Sequence, residues 1–537
     1  MNIPVLIVSC VLFFYFGIRF YSKRLGKIIG VDPSRKTPAH TKYDGVDYVP
    51  AKHWTVLFGH HFASIAGAAP IVGPIIAVSI WGWAPALLWV VLGTIFIGGM
   101  HDFFSLMISV KHDGASISDI TKRCVSEKAK TVFLMFVWLT LILIIAVFVN
   151  ICAKTFIAKP EIVLPSIGLV PVAVVVGFLL YKLKLHQPTV TILGLGMLAA
   201  LMYLGKVFPI GLGGNPLVAW SIILLLYSLL ASVTPVQTLL QPRDYLASFL
   251  LFFGLLFGYL GLIISGPSIT LPAFVANPAK DVLPLWPFLF VTVACGAISG
   301  FHSIVASGTT SKQLSNERNG RMIGYGGMIA EGVLSAMTIM IIIVAFKNIG
   351  VLKDMIYKGS GPIGVFGTAY GSVTSSFLGG YGEIFAVIVL NAFILTTLDT
   401  ATRIGRYVTQ ELFKIPNRYI ATILVVLLSG WLALSDKWKD IWPIFGSANQ
   451  LIAALALIVI SSWLLMKGRK IVYTLLPTLL MLATTVGALV LKIKEYIGSN
   501  ELVLMVISIV LLGLAVFIFF EAVWQTKDLM KKRLRNA

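Results

Sequence analysis

The stretch HHFASIAGAAPIVGP, residues 60–74, decides the reading of this chain. It lies inside a long apolar run, yet it places Gly67, Pro70, Gly73 and Pro74 where a membrane helix would run unbroken. Such residues free backbone carbonyls and amides, which lipid tolerates only where protein or a water-filled cavity satisfies them. The surrounding composition agrees with a membrane setting. Of 537 residues 58% are apolar and 12% charged, against about 25% charged in soluble domains. Runs of about 20 apolar residues, enough to span the hydrocarbon core, fall at 3–20, 55–80, 84–109, 131–152, 161–181, 189–205, 216–240, 245–265, 285–308, 322–346, 381–402, 419–435, 441–466, 471–491 and 501–524. The expected fold is an all-α polytopic membrane protein of about 15 transmembrane helices.

Net charge is +20, from 42 Lys and Arg against 22 Asp and Glu. In a multi-pass membrane protein such an excess marks basic cytoplasmic loops beside anionic lipid rather than nucleic-acid binding. Counted on alternate sides of the spans, 31 Lys and Arg fall on one side and 11 on the other. This places the N-terminus outside and the C-terminus inside, with the basic tail KKRLR, residues 531–535, against membrane lipid. Cys10, Cys124, Cys152 and Cys295 have neither disulfide-framework nor metal-ligand spacing. The run 3–20 lacks a basic start and a small-residue cleavage site, and it is read as a retained first span.

The seventh span is interrupted like the second, at ASVTPVQ, residues 231–237. Spans two and seven are an odd number of spans apart and therefore oppositely oriented. Each can open an inverted five-helix repeat, and matched broken helices point to a secondary transporter's midplane site. The expected organisation is a first span and basic loop over 1–54, repeats over 55–206 and 207–402, and additional helices over 403–537. Proline kinks that serve only packing are the alternative.

The candidates among ionisable residues inside spans are few: His60, His61, His101, Asp102, His302, Glu331, Glu383 and Asp399. Intramembrane charge usually faces a partner or a cavity, and a His–carboxylate contact suits proton uptake and release near neutral pH. Each single histidine could equally be a structural hydrogen-bonder. Ser303, Ser307, Thr309 and Thr310 offer closely spaced hydroxyls that suit a sodium ion or merely back-bond to their helix. Asp399 and Arg403, at i, i+4 spacing, form a candidate gate or an interfacial ion pair. Asn449 and Gln450 can bond across helices, for packing or for substrate. Four intramembrane histidines also keep a haem- or metal-containing redox protein open, and a nutrient-sensing transceptor is a further alternative. No GxxxxGK[ST] phosphate loop occurs in the chain, so ATP-driven transport by this polypeptide is excluded.

The stretches FGHHFASIAGAAPIVGP (58–74), HDFFSLMISVKHDGASISDI (101–120), CGAISGFHSIVASGTTSKQL (295–314), LDTATRIGRYVTQEL (398–412) and WPIFGSANQLIAALAL (442–457) resemble the carbon starvation protein A (CstA) family of bacterial membrane transporters. Ala69 departs from the glycine of the family pattern, and some relatives are longer. The resemblance implies kinship with amino acid-polyamine-organocation transporters and thus a LeuT-like 5+5 inverted-repeat core with extra peripheral helices. It further implies import of peptides or pyruvate through the bacterial cytoplasmic membrane, coupled to protons or alternatively sodium, with no enzymatic step and no other cofactor. On this reading Ser64, Gly67, Ala68, Ala69, Pro70, Gly73, Ser232, Thr234 and Gln237 hold the substrate. His60, His61, His101, Asp102, His302 and Glu331, or the span-nine hydroxyls, serve the coupling ion. The sequence leaves oligomeric state open.

Overall fold

In a computed structural model the described residues are 2–45, 47–51, 53–183, 185–234, 239–275 and 283–536, and among them the secondary structure is helical throughout. Twelve described helices are long and apolar enough to cross a membrane, or thirteen when one bent pair is counted as a single span. The chain is a multi-pass membrane protein. The expected spans at 55–80, 285–308 and 419–435 account for the difference from fifteen. The first is two helices bent by 48°, the second is interrupted, and the third is the 17-residue helix Arg418–Leu434. A further helix, Gly361–Leu378, fills a stretch expected to join spans ten and eleven.

The first broken helix consists of Trp54–Ile65 and Ala69–Trp81. Ala66 leaves helical geometry (φ −74°, ψ 80°), and Pro70 stands near the start of the second half, where a helix needs no amide from it. Pro74, inside that half, cannot donate to the Pro70 carbonyl four residues back. The Ser335 hydroxyl donates to that carbonyl instead, at 2.8 Å. Gly67 is required by close approach, because a Cβ there would lie 2.8 Å from Thr397 Oγ1.

The interruption expected at 231–237 is a helix end in the described part. Pro216–Val233 is helical to Val233 and Thr234 is extended; the next helix is Leu240–Ser265. Gln237 lies outside the described residues. The break in the second half of the chain falls instead between Leu285–Thr292 and Gly300–Val305, the latter continuing through a wide π turn, Ala306–Thr310, to Gln313. Side chains from neighbouring helices satisfy its freed groups. Trp89 Nε1 donates to the Val293 carbonyl (3.3 Å), Thr94 Oγ1 to the Gly296 carbonyl (2.9 Å) and Gln450 Nε2 to the Phe290 carbonyl (2.5 Å). Asn449 donates to Ser299 Oγ (3.0 Å), and its carbonyl accepts the Phe301 amide (3.0 Å). The two breaks meet: a Cβ on Gly73 would collide with the Thr292 carbonyl.

The long helices that follow the two breaks, Trp83–Lys111 and Glu317–Ala345, each contain a π turn, at Thr94–Gly98 and Arg321–Tyr325. The turns interlock, with Tyr325 OH donating to the Ile95 carbonyl at 3.0 Å. At the far end of the same bundle, fully buried Glu317 accepts the Asp32 amide (2.9 Å) and faces Lys111 (3.4 Å), which ties the loop after the first helix to the bundle.

Asp399 and Arg403 do not pair. Asp399 forms a buried ion pair with Arg243 at the start of Leu240–Ser265, and Tyr227 OH donates to Asp399 at 2.8 Å. One turn on, Arg403 donates to the carbonyls of Ala231 (2.8 Å) and Thr234 (2.5 Å), and Arg406 donates to that of Ser232 (2.8 Å). The reason is local. The C-terminus of Pro216–Val233 presents orphan carbonyls and a negative dipole end, which draw guanidinium groups.

Two stability predictions follow from these partners. Asp399→Ala removes one of the two buried carboxylates that neutralise Arg243, the other being Asp244 at 3.2 Å, and lowers stability by about 1–3 kcal/mol, whereas Asp399→Asn, which keeps an acceptor for Arg243 and Tyr227, costs less. Ser335→Ala leaves the Pro70 carbonyl unpaired and costs about 1–3 kcal/mol. Unfolding of the purified variants in detergent measures both.

Candidate functional site

Between the two breaks lies a cavity of about 310 Å³ of empty space, its opening included. Ile65, Gly67 and Ala69 come from the first break, Cys295, Ser299 and Phe301 from the second, and Ile144 and Phe148 from Glu127–Ala158. Thr397 and the pair Phe445 and Asn449 complete the lining from two further helices. The Phe148 and Phe445 rings meet edge to face with centroids 6.1 Å apart, so the cavity has an aromatic wall. The rest of the lining mixes small and apolar residues with the polar side chains of Ser299, Thr397 and Asn449.

Of the residues expected to hold substrate, Gly67 and Ala69 line this cavity. Ser64 spends its hydroxyl on the His60 carbonyl (2.8 Å), the Pro70 carbonyl is held by Ser335, and Gly73 is packed on Thr292. Ala68 is fully buried and is not part of the lining. Ser232 and Thr234 belong to the helix end capped by Arg403 and Arg406, apart from the cavity.

The expected ion-coupling residues converge more closely. Asp102 bridges two imidazoles, with His101 Nδ1 at 2.7 Å from one carboxylate oxygen and His302 Nδ1 at 2.7 Å from the other. On the far side of His302, Nε2 lies 3.1 Å from Glu331, yet the contact is not aligned as a hydrogen bond and neither Glu331 oxygen has a partner. All four side chains are fully buried. They come from three helices: the two that follow the breaks and the second broken helix itself. His302 is two residues past Gly300, where that helix resumes beyond the break, so the charged row runs alongside the cavity.

His61 approaches from the first broken helix, with its Nδ1 at 2.9 Å from Thr310 Oγ1 and its Nε2 unpartnered. His60 is half-buried and stands outside this row. Ser303, Ser307 and Thr309 donate to carbonyls three or four residues earlier on their own helix, at 2.7, 2.7 and 3.0 Å. Those protons are spent within the helix. Two of the four oxygens also meet a neighbouring element: Thr310 faces His61, and Ser307 accepts the Ile117 amide.

Thr397, Ser299, Phe148, Phe445 and Arg243 were not singled out from the sequence. A threonine or phenylalanine in an apolar run carries no signal of its own, and Arg243 sits where an expected loop meets a helix. Asn449 and Gln450, amides that the sequence marks as able to bond across helices, both stitch the second break.

The sequence profile of the family described as Carbon starvation protein CstA matches residues 2–353 and 347–488. Among curated relatives, the Pyruvate/proton symporter BtsT of Escherichia coli (strain K12) is 30% identical over 83% of this chain and 75% of its own. The Peptide transporter CstA of the same strain is 31% identical over 83% and 74%, and that of Bacillus subtilis (strain 168) 31% over 84% and 83%. The crystal structure of an Eremococcus coleocola manganese transporter superposes with a TM-score of 0.54 at 13% identity, covering 91% of this chain and 99% of that one, which is a likeness of fold. With a profile spanning most of its length and relatives alike over most of theirs, the chain belongs to the carbon starvation protein CstA family.

Proposed function

We propose that this protein is a secondary active transporter that imports a small nutrient acid by proton-coupled alternating access through the bacterial cytoplasmic membrane. The observation that carries the reading is the buried His101–Asp102–His302–Glu331 row beside a cavity formed at two helix breaks. Buried ionisable groups are retained in membrane helices where they serve an ion or substrate path. The relatives named as a pyruvate/proton symporter and as peptide transporters support transport and leave two substrate classes. In this conformation the enclosed space holds little more than one water molecule, so either substrate needs a wider state, and pyruvate needs the smaller widening. An enlarged cavity in another conformation would admit a dipeptide, which is the second reading.

The architecture proposed is an inverted-repeat core of LeuT type, opened by the broken helices at 54–81 and 285–313. They lie an odd number of segments apart, hence in opposite orientations, and each leads into a long helix with a π turn. The excess of Lys and Arg on alternate loops places the N-terminus outside and the C-terminal tail inside. The substrate carboxylate docks beside Thr397, Ser299 and the amide end of Ala69–Trp81, where the helix dipole favours negative charge. A proton joins the His and carboxylate row, neutralising the loaded bundle before it reorients. The Arg243–Asp399 pair, two residues from Thr397 on Tyr381–Phe413, closes the cavity on the side assigned to the cytoplasm and separates when that side opens.

In sealed liposomes with an imposed inward proton gradient and no sodium, labelled pyruvate accumulates, a protonophore abolishes accumulation, and a dipeptide tested in parallel does not accumulate. Uptake only after sodium is added refutes proton coupling. Glu331→Gln lowers gradient-driven accumulation at least tenfold while substrate counterflow persists. Thr397→Val, losing one hydrogen-bond donor worth ~1.5 kcal/mol, raises the KM for pyruvate about tenfold.

A further inference from the structure

Below the charged row, on the side assigned to the cytoplasm, the helix Gly99–Lys111 carries His101, Ser105 and Ser109 at successive i, i+4 positions, on one face. All three are fully buried. His101 uses Nδ1 on Asp102, which leaves Nε2 pointing away from the carboxylate, and that nitrogen has no partner. Ser105, one turn on, is likewise an unpartnered buried hydroxyl. Ser109 ends the row in a cluster: its hydroxyl lies 2.9 Å from Ser311 Oγ and donates to the Ala115 carbonyl at 2.7 Å. Ser307 Oγ accepts the Ile117 amide there at 3.1 Å. Ala115 is only partly buried and belongs to the loop that follows the helix, so the cluster opens at the surface.

We propose that His101 Nε2, Ser105, Ser109 and Ser311 form the route by which the coupling proton leaves for the cytoplasm. The proposal rests on the proton-coupled reading above and adds the path to it. From His101 to Ser109 the helix rises about 12 Å, at 1.5 Å per residue. Buried polar atoms without protein partners are the places where ordered water bonds, and water between His101, Ser105 and Ser109 completes a hydrogen-bonded file. The step balances simply. A doubly protonated His101 releases its Nε2 proton to the file and the last member passes one to bulk solvent. His101 is left neutral, with its Nδ1–H still on Asp102. The charged and titratable groups nearest the file are Asp102 on the same helix, His302 and Glu331 beside the upper end, His61 from the first broken helix, and Lys111 with Glu317, followed by His112, at the lower end. Within the row itself no charge stands below His101, so the released proton meets only hydroxyls and carbonyls until the loop.

The test uses full-length protein in liposomes and compares two readouts. Net uptake under a proton gradient requires proton release at every cycle, whereas pyruvate counterflow lets the loaded protein reorient with its proton in place. Ser105→Val is expected to slow net uptake about tenfold or more and to leave counterflow within twofold, while Ser105→Thr, with similar bulk and a hydroxyl, retains net uptake. Ser311→Ala is expected to give a weaker loss of the same kind. Equal loss of both readouts in Ser105→Val and Ser105→Thr overturns the route by showing a packing role, and unchanged net uptake in Ser105→Val overturns it directly. Wild-type uptake that ignores the proton gradient refutes proton coupling itself, a failure distinct from that of the route.

Discussion

A helix interrupted inside a membrane must find protein partners for its freed carbonyls and amides, because lipid supplies none. This chain meets that constraint twice, with uncharged side chains from neighbouring helices. Ser335 takes the Pro70 carbonyl at the first break; Thr94, Trp89, Asn449 and Gln450 hold the second. The cavity exists because these bonds let two segments of backbone stay unwound at the same place. The same donors join each break to helices elsewhere in the bundle, so the unwound segments move with their supports. Ser335 and Glu331 share one helix. A shift of that helix therefore acts on the first break and on the charged row together.

The charged row obeys the complementary constraint. Asp102 is fully buried and both of its oxygens are engaged by imidazoles, which is how a buried carboxylate is made tolerable. Glu331 has no such saturation, and its oxygens are the unsatisfied end of the row. The hydrogen bonds of the row are thereby saturated at the Asp102 carboxylate and left open at Glu331. The Arg243–Asp399 pair solves the problem differently, by opposite full charges with Tyr227 and a second carboxylate, Asp244, as further partners. Such a pair adds little stability over an apolar substitute, but it specifies which helices meet.

Much of this was legible from residues that are rare in membrane helices. Gly67, Pro70 and Pro74 announced the first break, and His101, Asp102, His302 and Glu331 stood out as buried charge. The second break was misplaced because Pro235 in ASVTPVQ gives a stronger local signal than ACGAISG, where the unwinding depends on Asn449 and Thr94 far away in sequence. The partner of Asp399 was misread for a similar reason. An i, i+4 pair is visible in sequence, while the partner that Asp399 takes lies 156 positions earlier, and the helix end that captures Arg403 is defined by three-dimensional packing. Cavity residues such as Thr397 and Phe148 are ordinary in composition and become special only by location.

All four cysteines are buried and unpaired, and of these Cys295 alone lines the cavity. A thiol reacts as its thiolate and only where reagent and water reach it. Reagent supplied from one face of the membrane therefore modifies Cys295 only while the cavity is open to that face. The native chain carries its own clock for the dwell time of each conformation, with three buried thiols outside the cavity as internal controls.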